Sequence, residues 1–408
     1  MCEDEFDRGI EGKLIELFDV PNGIELNQVK DTLNLLLSSR YDTKLNFWMG
    51  LVGQVFQASE DVKSGVKETG TTSTTIGDGG GGDDDEDEDD DDDEQMTQSG
   101  AGEKKERPHW RTRVFAGEVL AQLVELCHEE SKVTRARHFD LSLARAHCAP
   151  DQCLVTSLSD LVRCFFIAAT DSNTILCQSG LASLKRVIEL FKTSTDPDVE
   201  GAFLLEQYQA NIGAALRPAF SPDALPQVSV LASQVASAWL CSGVASSIND
   251  LQRVYRLMVS SLDAIRLPSK SGGSIYADES MLVKSAATIE AWGELYIAAC
   301  EAQQLSTSEL LNLVDCEIPD LKFFFLSHVS LQGNKSSSSQ PNAIIMHALA
   351  LLDKSRFDEK ETRATIVNVI AASSVETLLR PASSTTLKVT RHSIAALAAV
   401  QAQFATYF

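Results

Sequence analysis

Strand signals are missing from this 408-residue chain. No period-two run is sustained, and no Asn-Gly or Asp-Gly pair sits between apolar runs as a hairpin would need. Long hydrophobic runs are missing too. The best apolar window, Cys164 to Ala169, is short and follows Arg163, so no transmembrane helix and no direct membrane insertion are expected. The N-terminus, MCEDEFDRG, is acidic and lacks the apolar run of a secretory signal. Aromatics make up only 7% of the residues. Positive charge is scarce, with 35 Lys and Arg against 58 Asp and Glu. That balance disfavours sequence-independent binding to nucleic acid or anionic lipid, both of which need a basic face.

Catalytic patterns are equally thin. There is no G-x-S-x-G elbow, and the seven histidines are scattered without a Cys or Asp partner pattern. Gly77 to Gly82 matches the letters of a dinucleotide fingerprint, but threonines and aspartates flank it where a strand and a helix N-terminus are required. Cys127, His128, His138, His147, Cys148 and Cys153 lie close in sequence, yet no C-x-x-C knuckle is present and Cys127 belongs to an apolar stripe. No catalytic, cofactor-binding or metal-binding residue is assigned, no cofactor is expected, and the chain reads as a non-enzyme. The nine cysteines have no regular spacing; Cys127, Cys164, Cys177, Cys241 and Cys300 fall in helical stripes, which points to free thiols in a reducing, cytoplasmic setting.

What is present is helical periodicity. Leu154, Leu158, Leu161, Phe165 and Ala169 recur at spacings of three and four. So do Cys177, Leu181, Leu184, Ile188 and Phe191; Leu205, Tyr208, Ile212 and Leu216; Val228, Leu231, Val235 and Ala238; and Leu251, Tyr255, Met258 and Leu262. Each series puts one apolar stripe on a short helix that must bury it against a neighbour. Asp171-Ser172-Asn173, Asp196-Pro197 and Ser221-Pro222-Asp223 mark the turns between these helices. Capping boxes are expected at Ser247 with Asp250 and at Ser306 with Glu309. Alternate helices begin near residues 154, 204 and 248, slightly above the HEAT and armadillo period. The fold class is all-α: a HEAT/armadillo-type α-solenoid.

Three segments follow. Residues 1–60 form a short helical piece, with helices at Ile10–Phe18, Leu26–Leu37 and Leu45–Phe56. Residues 61–107 are rich in Gly, Ser and Thr and then in Asp and Glu, and read as a disordered insertion. The run Asp83–Glu94 holds twelve acidic residues, so of the net charge of -23 the rest of the chain carries -23 + 12 = -11. Residues 108–408 are the repeat array, with later helices expected at Met281–Ala302, Pro319–Leu331, Ala343–Leu352, Thr362–Leu379 and Leu387–Phe404. The cluster Lys104, Lys105, Arg107, Arg111 and Arg113 reads as the solvated start of a helix. Arg217-Pro218 predicts a proline kink. Asp31–Leu36 matches an acidic dileucine signal and Leu310–Asp315 approaches a clathrin-box peptide, but both sets of leucines fit helical stripes better.

Several strings resemble the HEAT repeat-containing protein 5 family of large solenoid proteins. They are His109–Ala116 (HWRTRVFA), Arg137–Ala144 (RHFDLSLA), Leu158–Asp171 (LSDLVRCFFIAATD), Leu205–Pro222 (LEQYQANIGAALRPAFSP) and Asn249–Asp263 (NDLQRVYRLMVSSLD). The resemblance covers about residues 108 to 300, and its most specific string is the 18 residues Leu205–Pro222. It implies an internal or truncated portion of a longer protein, and the ending AVQAQFATYF, without a polar cap, fits that expectation. The resemblance further implies a non-catalytic scaffold in clathrin-adaptor-dependent vesicle-mediated transport, including endocytosis and retrograde traffic from endosome to Golgi. Its partners would be aftiphilin- or gamma-synergin-like accessory proteins and, through them, a clathrin adaptor. The protein would be cytoplasmic, peripherally associated with endosomal and trans-Golgi membranes. The alternative is a nuclear-transport-type or general scaffold that binds basic peptide segments.

Overall fold

A computed structural model describes residues 9–16, 26–41, 43–67, 108–132, 137–147, 152–245, 248–266, 275–304 and 309–332, together with residues 344, 345, 347–349, 351 and 352. The acidic run, both expected capping boxes, the helices expected at Thr362–Leu379 and Leu387–Phe404, and Cys148 lie outside the described residues. The helices are α1 (Gly9–Glu16), α2 (Leu26–Arg40), α3 (Leu45–Lys67), α4 (Trp110–Ser131), α5 (Leu141–His147), α6 (Leu158–Ala169), α7 (Thr174–Phe191), α8 (Gln209–Ala219), α9 (Pro226–Cys241), α10 (Ile248–Arg266), α11 (Ile275–Gln304), α12 (Glu309–Asp315) and α13 (Ile318–Gln332). Two 3-10 turns, Leu154–Ser157 and Leu204–Tyr208, lead into α6 and α8. Among the described residues, extended pairing is limited to one isolated bridge, Thr195 with Phe203.

The helices stack in two layers. The first holds α3, α6, α8 and α10, each packed on the next; the second holds α4, α7, α9 and α11 in the same way. The hairpins α3–α4, α6–α7, α8–α9 and α10–α11 tie one layer to the other. Helices α12 and α13 each pack on α11 and continue the array, and the Tyr255 hydroxyl of α10 donates to the Leu313 carbonyl of α12 at 2.7 Å. This is the helical-repeat stack that the apolar stripes require.

Local chemistry fixes the joints. Asn173 begins α7, its Oδ1 accepting from the Ile175 and Leu176 amides at 3.1 and 3.2 Å. Pro226 opens α9, where its missing N–H costs nothing. Gly243, at φ 72°, follows the end of α9 in the left-handed region that stops a helix. At Gly180 of α7 the backbones of α6 and α7 nearly touch: an added Cβ would stand 2.7 Å from Ala168 C and 2.8 Å from Ala168 Cβ. Only glycine allows that approach.

The core runs through the whole stack. Every residue of the Leu154, Cys177 and Leu251 stripes is buried, and each large side chain so placed contributes about 1.5–3 kcal/mol of transfer free energy. Four expectations need correction. Helix α3 runs on to Lys67, seven residues into the segment assigned to the insertion. On α9 the buried face is Val228, Ala232, Val235, Ala236 and Trp239, so Leu231 and Ala238 stand only half-buried. Pro218 does not kink a continuing helix. It sits one residue before the end of α8, where the Phe220 amide reaches back to Leu216 and the Ser221 amide to Pro218. Arg113, read as solvated, is buried.

Candidate interaction surfaces

No reactive constellation is assembled among the described residues, so the sites to be weighed are surfaces. One cleft, of about 730 Å³, lies between α3 and α6. Asn46, Gln54 and Gln57 line it from α3, and Ser157, Asp160 and Arg163 from the α6 side. Gly50 and Gly53 open it, since a Cβ at either would meet nothing within 4 Å. The Ser157 hydroxyl donates to Asn46 Oδ1 at 3.5 Å across the cleft. Side-chain amides and hydroxyls at this spacing suit the main chain of an extended peptide, which offers a donor and an acceptor at each residue.

A second groove of about 340 Å³ crosses the other layer, between Lys185 of α7 and Lys192 just after it, Ser237 and Cys241 of α9, and Glu294 and Glu301 of α11. The Ser237 hydroxyl donates to Glu294 Oε2 at 2.9 Å. Burial pushes the Cys241 thiol up to about 12, with Ser237 acting weakly the other way. It is therefore a thiol at neutral pH and a poor nucleophile. Glu290, one helical turn before Glu294, has its carboxyl raised above the usual range by burial first and by Glu294 second, against Lys185.

The residues singled out from the sequence fall into structural roles. His138 is fully buried; its Nδ1 accepts from the Leu154 amide at 3.3 Å and its Nε2 lies 3.2 Å from Glu130 Oε2. Because a ring nitrogen that accepts cannot carry a proton, the neutral tautomer here bears its hydrogen on Nε2 and donates it to Glu130. Burial lowers the His138 pKa, opposed by Glu130. Cys127 is buried and its thiol is pushed up to about 12 by burial. His128 stands edge-on to the Phe139 ring, at 6.1 Å between centroids, and His147 is exposed. The described residues contain no group of His, Cys, Asp and Glu arranged to hold a metal.

Arg113 pairs with Asp171, and its Nε donates to the Pro108 carbonyl at 3.2 Å. Asp171 also accepts from the Asn173 amide at 2.8 Å. The α6–α7 turn is thus bolted to α4 by a buried ion pair, 58 residues apart in sequence. Sequence spacing gave no signal for it. Arg111 stays exposed, 5.5 Å from the centre of the Trp110 ring. Asp31–Leu36 lies in α2 with Leu33 buried, Leu36 half-buried and Leu35 exposed. Leu310–Asp315 lies in α12 with Leu310 and Val314 buried. Both are helical rather than extended. Trp239 and Trp292 are core residues, so they form no tryptophan ladder on a surface. No helix among the described residues is long and apolar enough to cross a membrane.

Helical hairpins stacked in two layers define a HEAT-type helical-repeat array. Residues 153–327, from the turn before α6 into α13, match the Laa1/Sip1/HEATR5 HEAT repeat region. The chain is 27% identical over 270 residues to Protein SWEETIE of Arabidopsis thaliana, covering 62% of this chain and 11% of that protein. It is 28% identical over 208 residues to AP-1 accessory protein LAA1 of Saccharomyces cerevisiae, covering 49% of this chain and 9% of that one. The chain therefore spans about a tenth of the length of these curated relatives. No solved structure gives a significant match.

Proposed function

We propose that this array is a non-catalytic scaffold that works in clathrin-adaptor-dependent vesicle traffic by binding other proteins. The observation that carries the reading is the shared repeat region: the segment 153–327 has a family counterpart in a protein named for accessory work with an adaptor, AP-1. The clefts support it, because they offer the hydrogen-bonding surface that an extended segment of another protein can use. In this reading the partners are aftiphilin- or gamma-synergin-like accessory proteins, and through them a clathrin adaptor. The site of action is the cytoplasmic face of endosomal and trans-Golgi membranes, reached through partners. A nuclear-transport-type groove finds no comparable support, since Trp239 and Trp292 are spent in the core.

The test is affinity capture with the tagged chain from cytosol of the same cells, read by mass spectrometry. Enrichment of adaptor subunits together with an accessory protein is the expected result. Enrichment of nuclear-import cargo without any adaptor subunit would overturn the proposal.

A further inference from the structure

We infer that the outward face of the first layer, across α8 and α10, docks an acidic segment of a partner protein through Arg217, Arg253 and Arg256. The inference rests on the scaffold reading and adds the chemistry of the partner.

Helix α10 buries Leu251, Tyr255, Met258 and Leu262 and turns the opposite line outward. Asn249, Arg253, Arg256, Ser260 and Asp263, at spacings of four and three, are all exposed. Helix α8, packed directly on α10, shows Ala210 and Arg217 to solvent. Between them Gly213 is open, with nothing within 4 Å of an added Cβ. Small side chains there let a docked backbone come close to α8, between the arginines. The next helix of the same layer, α6, adds exposed Arg163 and Asp160. Among the described residues, the exposed ones on these three helices thus include four arginines and two aspartates. One of the two, Asp263, is already held by Arg266 at 2.6 Å.

Pairing separates Arg217, Arg253 and Arg256 from most other arginines of the described residues. Arg113 binds Asp171, Arg137 binds Glu130, Arg145 binds Asp198, Arg186 binds Glu125, and Arg266 binds Glu317. Arg217, Arg253 and Arg256 have no ion pair among the described residues. In a chain with 58 acidic residues to 35 basic ones, intramolecular carboxylates are plentiful, yet none of the described ones is directed here. A guanidinium fork takes a carboxylate with two parallel hydrogen bonds, so the complementary ligand is a run of carboxylates. Packed helices lie about 8–10 Å apart. From α6 to α10 is then about 20 Å, the reach of roughly six extended residues at about 3.3 Å each.

A bilayer or a nucleic acid fits less well. Among the described residues, the large exposed apolar ones, such as Trp110, Leu282 and Phe323, lie elsewhere, and none is on α6, α8 or α10. Insertion into lipid or stacking on bases therefore has no anchor on this face.

The experiment titrates a fluorescein-labelled peptide of twelve alternating Asp and Glu residues by anisotropy. It is run on the 408-residue chain and on the same chain with Asp83–Glu94 replaced by serines, which removes competing carboxylates. We expect binding that weakens steeply between 50 and 200 mM salt. Substituting Arg217→Glu, Arg253→Glu and Arg256→Glu together should raise Kd by about tenfold or more, while helical signal and melting temperature stay unchanged. The control Glu189→Lys with Glu301→Lys, on the other layer, should not weaken binding. Equal affinity of the triple variant overturns the inference, as does tighter binding of phosphatidylserine vesicles or of a single-stranded oligonucleotide than of the peptide. Adaptor capture reports separately on the functional proposal: peptide binding with no adaptor captured would overturn that proposal and leave this face intact.

Discussion

The two layers of the array are built alike and finished differently. Each buries one stripe per helix in a common core, and each turns a polar stripe outward. In the second layer most of the charges are spent within the molecule. Arg186 of α7 takes Glu125 of α4, Lys185 lies 3.9 Å from Glu189, and Glu118 of α4 binds Lys30. Glu294 of α11 accepts from Ser237 of α9. Arg186 holds the Glu125 carboxyl below the usual range, chiefly by hydrogen bonding to it. In the first layer, Arg217, Arg253 and Arg256 are left to solvent. Surface ion pairs contribute at most about 1 kcal/mol each, so their arrangement says little about stability. It says more about where a partner meets unsatisfied charge.

The largest way to break the comparison is at the joint between layers. Arg113→Ala leaves the Asp171 carboxylate buried without its cation, and loss of one partner of a buried pair costs about 3–5 kcal/mol. The midpoint of urea unfolding should fall accordingly, whereas Arg253→Ala, on the open face, should leave it within about 0.5 kcal/mol of the original.

Two glycines sharpen the contrast at a smaller scale. Gly180→Ala forces a methyl into the α6 backbone and should destabilise by about 1–3 kcal/mol or more. Gly213→Ala places its methyl in open space on the first-layer face. It should stabilise α8 by about 0.5–1 kcal/mol through helix propensity. Paired thermal melts decide both.

Acid should act on the joints before it acts on the faces. The pKa of His138 is lowered in the fold from its ordinary 6.5, by burial above all. The unfolded chain then binds more protons over the window just below that value, so stability falls as pH drops through it. Unfolding midpoints between pH 7.5 and 5.5 should show this slope, and His138→Gln should flatten it.

Glu290, in the second layer, has the opposite sign. Its carboxyl is raised from 4.5 by burial and by Glu294. The fold then holds the proton more tightly than the unfolded chain, and stability declines as pH rises from 4.5 through the raised value. Glu290→Gln should raise the melting temperature slightly at pH 7 and have no effect below pH 4. An unchanged melt at pH 7 would mean that Glu290 is better solvated than its place on α11 implies.

Much of the architecture was legible in apolar spacing, because a stripe at period 3.6 leaves a helix only one side to bury. The Leu251 stripe of α10 is buried as spaced. On α9 the buried face is offset, for a physical reason. That helix is rich in Ala and Ser, so two faces one residue apart differ little in hydrophobicity, and Trp239 with Ala232 and Ala236 decides which packs. The joint was not legible. Arg113 lies among basic neighbours and Asp171 among turn residues, and neither position suggests the other. The outward arginines of α10 are the polar complement of its stripe and so were in plain view. What the sequence could not supply is that they adjoin α8 and remain unpaired while other arginines are engaged.

The most direct measurement of this difference is arginine labelling with phenylglyoxal, followed by mass spectrometry of the native chain over time. Arg217, Arg253 and Arg256 should be modified quickly, and Arg113, Arg186 and Arg266 slowly, because carboxylates already occupy them. If Arg186 and Arg266 react as fast as Arg253 and Arg256, the two faces are not distinguished by pairing, and the open first-layer face is contradicted.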